Sequence, residues 1–457
     1  MTGGENHLDA AIASVRRANS DADEAIRRIR EELRLWVRRM HAHGHAVAAP
    51  AEPVINAVTE TGRIVYRAIH DEVVRLELHR SAVAPDSSAT GTAAPVVRPA
   101  PVVRVPRVVA VEVDPLTALF NAYGNDNSSA ETWTGADSTY SVELPDGRSL
   151  WIFSDTYLGT VNPDGSRPPS RSLGGTTPMV NNTFVVQDGD RFRTITGGVP
   201  GAPESLLTAH SLRGDHVYWA GDAQLHDGAV EIAYRRYEAG TRAVGLTVLR
   251  LDPGDLRRPI ARHDVPTRQR TVSWASAIHR TDTHTYVYGS RDTGTTKHLR
   301  IARIEGPSMF GAWEYLDAGG NWTSDEFRAA DHLAGVANEF SVTPIDGGYL
   351  LLTHDTTEVM SADIVGYAAP TPYGPFEDKT VLYTTPETGV AGTYRNPNVY
   401  THNSHAHPHI DRGPGRLVVS YNVHSWAQRG ANLRQESDLF DDVSIYRPRF
   451  VTIGFDV

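Results

Sequence analysis

Residues 134–159 read TGADSTYSVELPDGRSLWIFSDTYLG. Two runs dense in Tyr, Val, Trp, Ile and Phe flank Leu144-Pro145-Asp146-Gly147, the residue chemistry of a tight turn between antiparallel strands. An aspartate stands at the outer end of each run, Asp137 before the first strand and Asp155 after the second. A hairpin folds back on itself, so this spacing predicts two carboxylates side by side at one end of it. Strand ends are often polar, and the pair taken alone fits a solvated loop as well as a working site. The rest of the chain has to decide.

Outward from this hairpin the arrangement recurs. Strongly apolar strands ending in polar residues run SLWIFSDTYLG (149–159), AVEIAYRRYE (229–238), HTYVYGSRDT (284–293), GYLLLTHDTT (348–357) and RLVVSYNVHS (416–425). Each follows a partner strand: STYSVEL, WAGDAQLHDG, WASAIHRTD, NEFSVTPIDG and AHPHIDRG. Five returns at intervals of about 55–80 residues form a degenerate repeat of blade size. The expectation for residues 108–457 is therefore all-β, a five-bladed β-propeller, in preference to a sandwich with fewer and less regular returns. Either RVVAVEV (107–113) or RPRFVTIGF (447–455) would close the ring.

The first hundred residues are different. Ile26, Ile29, Leu33, Trp36 and Met40 fall at helical spacing, and so do Val54, Val58, Val65, Ile69, Val73 and Leu76 beyond a Pro50/Pro53 break. Residues 1–80 are expected to form an α-helical hairpin or stalk. It is too small to hold a core alone, so it should self-associate into a homo-oligomer or dock on a particle. Its histidines, His41, His43, His45, His70 and His79, are too scattered for a metal site. Residues 81–107 are rich in Ala, Pro and Val without amphipathic period and read as an extended linker.

Composition excludes several classes. There is no cysteine, hence no disulfide, thiolate metal site or Cys nucleophile. Net charge is −11, while residues 1–80 hold twelve Arg against twelve acids, so the acidity belongs to the body and argues against a nucleic-acid partner. No window approaches 18 uninterrupted apolar residues, which argues against a membrane helix, and no Sec signal peptide is visible at MTGGENHLDA. No Walker A, GxSxG or GxGxxG lies in a strand–turn–helix setting. Only two lysines, Lys297 and Lys379, stand among 44 basic residues, a codon bias typical of GC-rich genomes.

In a propeller, equivalent ends of the inner strands gather around one funnel. Asp137, Asp222, Asp292, Glu339 and His407 all fall near strand ends of different units. Acids converging on an acidic body suit glycoside hydrolysis, which uses one carboxyl to protonate the leaving oxygen and a second as base or nucleophile. Asp137 and Asp155 are the candidate pair. Glu339 would tune the acid or hold a sugar hydroxyl, and Asp222 and Asp292 would line the site. Trp133, Trp219 and Trp274 would either stack on sugar faces or fill the inter-blade core. His405, His407 and His409 alternate along THNSHAHPHI (401–410) and share a strand face; a single hydrogen-bonding His407 is preferred to a metal site. Asn181, Asn182, Arg395 and Asn422 complete the candidate sugar ligands.

The hairpin, NNTFVVQDG (181–189), YGPFED (373–378), HPH with GRLVVSYN (407–422) and YRPRFV (446–451) resemble a family of actinobacterial five-bladed propeller glycosidases. That family includes the endo-D-arabinofuranosidases, or endo-D-arabinanases, of mycobacterial arabinogalactan and lipoarabinomannan. The resemblance covers roughly residues 115–455. It implies two catalytic aspartates in the first blade, the second in an F-x-D-T motif, at positions matching Asp137 and Asp155. It implies a D-arabinan polysaccharide partner and no required cofactor; a channel-bound ion is compatible with the fold, but no motif calls for one. The sequence departs at His409, where the family pattern has HPE. Cleavage of a cell-wall polysaccharide implies action outside the cytoplasm, by a virion-borne protein or one exported by a route other than Sec. A non-catalytic, glycan-binding propeller is the alternative.

Overall fold

The computed structural model describes residues 103–456 except 172–173, 209–215, 239–241, 266, 294–295, 359–360 and 430–436. The stalk at 1–80 and the linker through residue 102 lie outside the described residues. Among the described residues, no helix is long and apolar enough to cross a membrane.

The opening hairpin forms as its turn chemistry dictates. Tyr140–Glu143 pairs antiparallel with Ser149–Phe153, Tyr140 opposite Ile152 and Glu143 opposite Ser149. Leu144 N–H donates to the Arg148 carbonyl at 2.7 Å and Gly147 N–H to the Leu144 carbonyl at 2.9 Å. Gly147 takes a φ of 84°, the left-handed conformation that such a three-residue connection needs. Thr183–Asp188 and Arg191–Ile195 complete this first sheet.

Four more antiparallel sheets follow along the chain, each a meander whose first strand is innermost. The second runs from His216–His226 to Asp255–Val265 and the third from Val272–Arg280 to Trp313–Leu316, extended by Trp322–Thr323. The fourth runs from Phe340–Ile345 to Glu377–Thr384. The fifth orders Val399–Ala406, Arg416–Ser425, Pro448–Phe455 and then Val108–Val113. Both candidate closing segments therefore belong to this sheet, with Val113 opposite Val451. Its innermost strand corrects the sequence reading: it is Val399–Ala406, and the stretch after it, read as a strand, forms the turn, with His407 N–H on the Val418 carbonyl at 2.8 Å.

The core lies between sheets and follows them around. Leu150, Ile152 and Phe184 of the first sheet pack on Val230, Ile232 and Leu249 of the second. Val248 meets Val287 and Ile304, Tyr288 and Ile301 meet Leu351 and Val365, and Leu352 and Ile364 meet Val419 and Val451. Trp151, Phe153 and Val185 of the first sheet pack on Val418 and Phe450 of the fifth, which returns the stack to its start. The helix Leu116–Gly124 plugs that last seam with Phe120, fully buried against Trp133, Trp151 and Phe450. The domain is nearly all-β, with the radial stacking of a propeller. Buried aliphatic and aromatic side chains at a period of two are the reason: each sheet has two apolar faces and needs a neighbour on both.

Candidate active site

The hairpin does not stop at its two aspartates. Trp133–Ala136 and Thr156–Leu158 pair again above them, Ala136 opposite Thr156 and Trp133 opposite Leu158. Asp137 and Asp155 sit at the break between the two ladders. Asp137 N–H donates to the Asp155 carbonyl at 2.8 Å, and Ser154 N–H donates to the Asp137 carbonyl at 2.9 Å. Two residues oppose one, a bulge that re-aims side chains where regular pairing would not. Ser138 follows with φ 63°, a left-handed conformation that costs a non-glycine residue energy. Similar breaks recur in other innermost strands: between Ala220 and Ala223, between Trp274 and Ala277 around Ala275 (φ 64°), and between His402 and His405 around Asn403 (φ 54°).

The two carboxylates have different surroundings. Asp137 Oδ1 accepts the Ser138 N–H at 2.8 Å and Asn403 Nδ2 at 3.1 Å, with His402 Nε2 at 3.4 Å. Burial pushes the Asp137 pKa up, but the positive charges of His402 and His424 and the two hydrogen bonds outweigh it and leave it below the ordinary value. Asp155 Oδ1 accepts Asn181 Nδ2 and Trp219 Nε1, both at 2.8 Å. Here burial prevails over those two bonds, the Asp137 charge adds to it, and the pKa is pushed up to about 6. Tyr446 OH donates to the Asp155 carbonyl at 3.3 Å. Neighbouring carboxyls with pKa values pushed apart are the arrangement in which one holds a proton while the other is ionised.

Beneath them lies Glu339, 3% exposed, whose Oε1 receives Ser138 Oγ at 2.5 Å and Arg235 Nη2 at 3.3 Å. Burial pushes Glu339 up to about 7 against the Arg235 charge. Asp222 is also buried; its oxygens accept Ala223 N–H at 2.8 Å and Ile278 N–H at 2.7 Å, and burial pushes it up to about 7. A cavity of about 550 Å³ is lined by innermost strands of all five sheets, Asp222, Ile278, Ser341 and His405 among its walls. It extends to the Leu144-Pro145-Gly147 turn, at the opposite end of the hairpin from Asp137 and Asp155. The carboxylate pair thus lies outside the cavity.

A family model described as a domain of unknown function, DUF5005, matches residues 118–454. The chain belongs to the DUF5005 family. No protein of curated function matches it significantly. Among solved structures it is similar to a Bacteroides ovatus ATCC 8483 protein provisionally described as a hydrolase. The TM-score is 0.61 at 21% identity, covering 75% of this chain and 90% of that one, a likeness of fold. Two looser likenesses are a thermostable family-43 glycoside hydrolase and the GH43_1 enzyme of Xanthomonas citri complexed with xylotriose. The first has a TM-score of 0.41 at 10% identity over 72% and 91% of the two chains, the second 0.39 at 16% over 73% and 92%.

This DUF5005 domain brings together only part of the set expected from sequence. Asn181 and Trp219 join Asp155, and Glu339 lies under Asp137. Others are structural. Asn182, fully buried just before Thr183–Asp188, donates to the Leu207 and Tyr218 carbonyls at 3.0 and 2.9 Å and accepts Leu207 N–H at 2.8 Å, holding the second sheet at Tyr218 and the loop that precedes it. Asn422, 1% exposed, donates to the Ala136 carbonyl at 3.2 Å and accepts Thr139 Oγ1 at 3.3 Å. Trp274 is core, its Nε1 on Glu326 at 2.9 Å, and Trp133 is core as well. The tryptophans thus take the core role that was the alternative to sugar stacking, and Asn182 and Asn422, expected to bind sugar, are bonded within the protein instead.

His407 is corrected likewise. The rings of His405, His407 and His409 do follow one another, with centroids 5.5 and 6.4 Å apart. His407, however, is clamped between Ser141 Oγ at 2.5 Å and Ser420 Oγ at 2.8 Å, 1% exposed, and burial holds it well below the usual imidazole range. Among the described residues no group of three or more His, Asp or Glu is arranged to hold a metal ion. Asp292 lies on the surface 3.6 Å from Lys297, and Arg395 is exposed on the loop before Val399–Ala406; neither is bonded to the aspartate pair. The sequence reading missed His402, Asn403, Arg235, His424 and Tyr446. His402 and Asn403 stood inside the quoted histidine stretch, where the Asn403 bulge separates His402 from the alternation that follows.

Proposed function

We propose that this domain is a glycoside hydrolase in which Asp155 is the general acid and Asp137 the general base. The observation that carries this is the adjacent pair with pKa values pushed in opposite directions, one ionised and one holding its proton to about pH 6. Asp155 gives its proton to the glycosidic oxygen as the bond to the anomeric carbon breaks. Asp137 takes a proton from the water that attacks that carbon. One water is added across one C–O bond, and the two carboxyls exchange their proton through solvent for the next cycle. We read the mechanism as inverting and the five sheets as five propeller blades. Direct displacement requires about 6.5–9.5 Å between the carboxyls, against about 5–5.5 Å for a covalent route.

The substrate reading is α-D-arabinofuranosyl linkages within mycobacterial D-arabinan, cut internally. It is supported by the resemblance of residues 134–159, 181–189, 373–378, 407–422 and 446–451 to endo-D-arabinofuranosidases. Action on cell-wall polysaccharide, with residues 1–80 as an oligomerising or docking segment, completes the proposal. Purified arabinogalactan digested by wild type, Asp137→Asn and Asp155→Asn, with products sized chromatographically, tests it. Short arabino-oligosaccharides from wild type and a loss of ~10²–10⁴-fold in each variant are expected. Glycan bound but uncut by folded wild type would instead indicate a receptor-binding propeller.

A further inference from the structure

Two buried serines stand inside the aspartate pair, Ser138 directly after Asp137 and Ser154 directly before Asp155. Their Oγ atoms are 2.8 Å apart. Ser138 Oγ is also 2.5 Å from Glu339 Oε1, and Ser154 Oγ accepts the Ala220 N–H at 3.0 Å. Ser138, Ser154 and Glu339 are 2%, 4% and 3% exposed. A hydroxyl has one proton to donate. Ser138 Oγ is placed as a donor toward both Ser154 Oγ and Glu339 Oε1, so the protonation of Glu339 decides between them: with Glu339 protonated, its O–H donates to Ser138, Ser138 donates to Ser154, and Ser154 also accepts the Ala220 N–H. Arg235 closes the circuit: it donates to Glu339 and, through Nε, to the Ala220 carbonyl at 3.1 Å. Ionisation of Glu339 would draw the Ser138 proton to Oε1 and away from Ser154.

This chain crosses a place that regular structure does not hold. The ladders on either side are interrupted at Asp137 and Asp155, and Ser138 has the left-handed φ of 63°. Beside the two backbone bonds of the bulge, the serine–serine bond is the side-chain tie between the two strands there.

We infer that the Ser138–Ser154 hydrogen bond, oriented by Glu339, is a clamp that sets the separation of the Asp137 and Asp155 carboxyls. The serines are positioning residues, and the inference rests on the acid–base reading of the aspartates. Separation matters because a displacement on the order of 1 Å at a reacting centre costs ~10²-fold in rate.

The test uses the full chain on whichever arabinan wild type cleaves, with Ser154→Ala, Ser138→Ala, their double variant and Ser154→Thr. We expect each alanine to lower kcat about 10–100-fold with KM within about twofold. The double variant should be no slower than the worse single one, since both remove one bond, and Ser154→Thr should recover most of the rate. The alkaline limb of the pH profile should also move in the alanine variants. Wild-type kcat in both alanine variants, or losses that multiply in the double variant, overturns the clamp. So does a fall in melting temperature without a change in kcat. Should Ser154→Ala fail to fold, Ser138→Ala against Ser154→Thr decides. Wild type that cleaves nothing refutes the hydrolase reading instead, before any serine variant is compared.

Discussion

Replacing Trp219 by Phe should make the protein active at higher pH. The indole Nε1 donates to Asp155 Oδ1 at 2.8 Å, and that bond is one of two holding Asp155 below what burial alone would give. A hydrogen bond to an ionised group contributes about 1.5–3 kcal/mol, and one pKa unit is about 1.4 kcal/mol. Asn181 remains on the same oxygen at 2.8 Å, so the lower end applies: Asp155 should rise by about one unit, from about 6 to about 7. In the proposed mechanism Asp155 is the acid and works protonated, so the alkaline limb of kcat/KM should move up by the same amount. The acid limb, set by Asp137 with its own partners at Ser138, Asn403 and His402, should stay in place. Phe keeps a ring against Tyr237, whose centroid lies 4.7 Å from that of Trp219, so the fold should survive. The assay is kcat/KM from pH 4 to 9 for wild type and variant, which reports groups of the free enzyme. An alkaline limb that stays put or moves down, in a variant with wild-type melting temperature, would refute the assignment of Asp155 as the acid.

Asp222→Asn probes a buried acid outside the proposed acid–base pair. Burial raises Asp222 from its ordinary 3.8 to about 7, so folding takes up a proton; that stability is whole below about pH 4 and is lost as pH rises to 7. The buried histidines, lowered toward 4, work in the opposite direction, so the informative quantity is the difference between variant and wild type. Urea midpoints measured from pH 4 to 7 should drift in favour of the variant as pH rises, and a flat difference would show that Asp222 is not shifted. Asn182→Ala removes one bond to the second sheet at Tyr218 and two to the Leu207 loop that precedes it, and should cost ~2–4 kcal/mol in urea unfolding, with little change in kcat of the folded protein. A large loss of kcat at unchanged stability would return Asn182 to the substrate site.

The sequence by itself determined most of the strands and turns, the innermost strand of the fifth sheet excepted, and the one contact of the aspartate pair that is local. Asp137 and Asp155 are eighteen residues apart across a turn whose Pro145 and Gly147 specify the return, so their meeting needed only hairpin geometry. The period-two apolar pattern likewise made the all-β body legible. What only the tertiary structure decided is everything contributed from another sheet. Asn403 reaches Asp137 across 266 positions, Glu339 reaches Ser138 across 201, and Arg235 reaches Glu339 across 104. Those contacts exist only once the sheets stack back on the first. The fate of His407, which follows the break at His402/His405, was hidden for a related reason. Near a strand end, one bulged residue turns every later side chain to the other face, and the breaks at Ala220/Ala223, Trp274/Ala277 and His402/His405 leave no pattern in residue type. Whether a polar side chain there meets solvent or the next sheet is set by packing between sheets, and that is a property of the assembled ring.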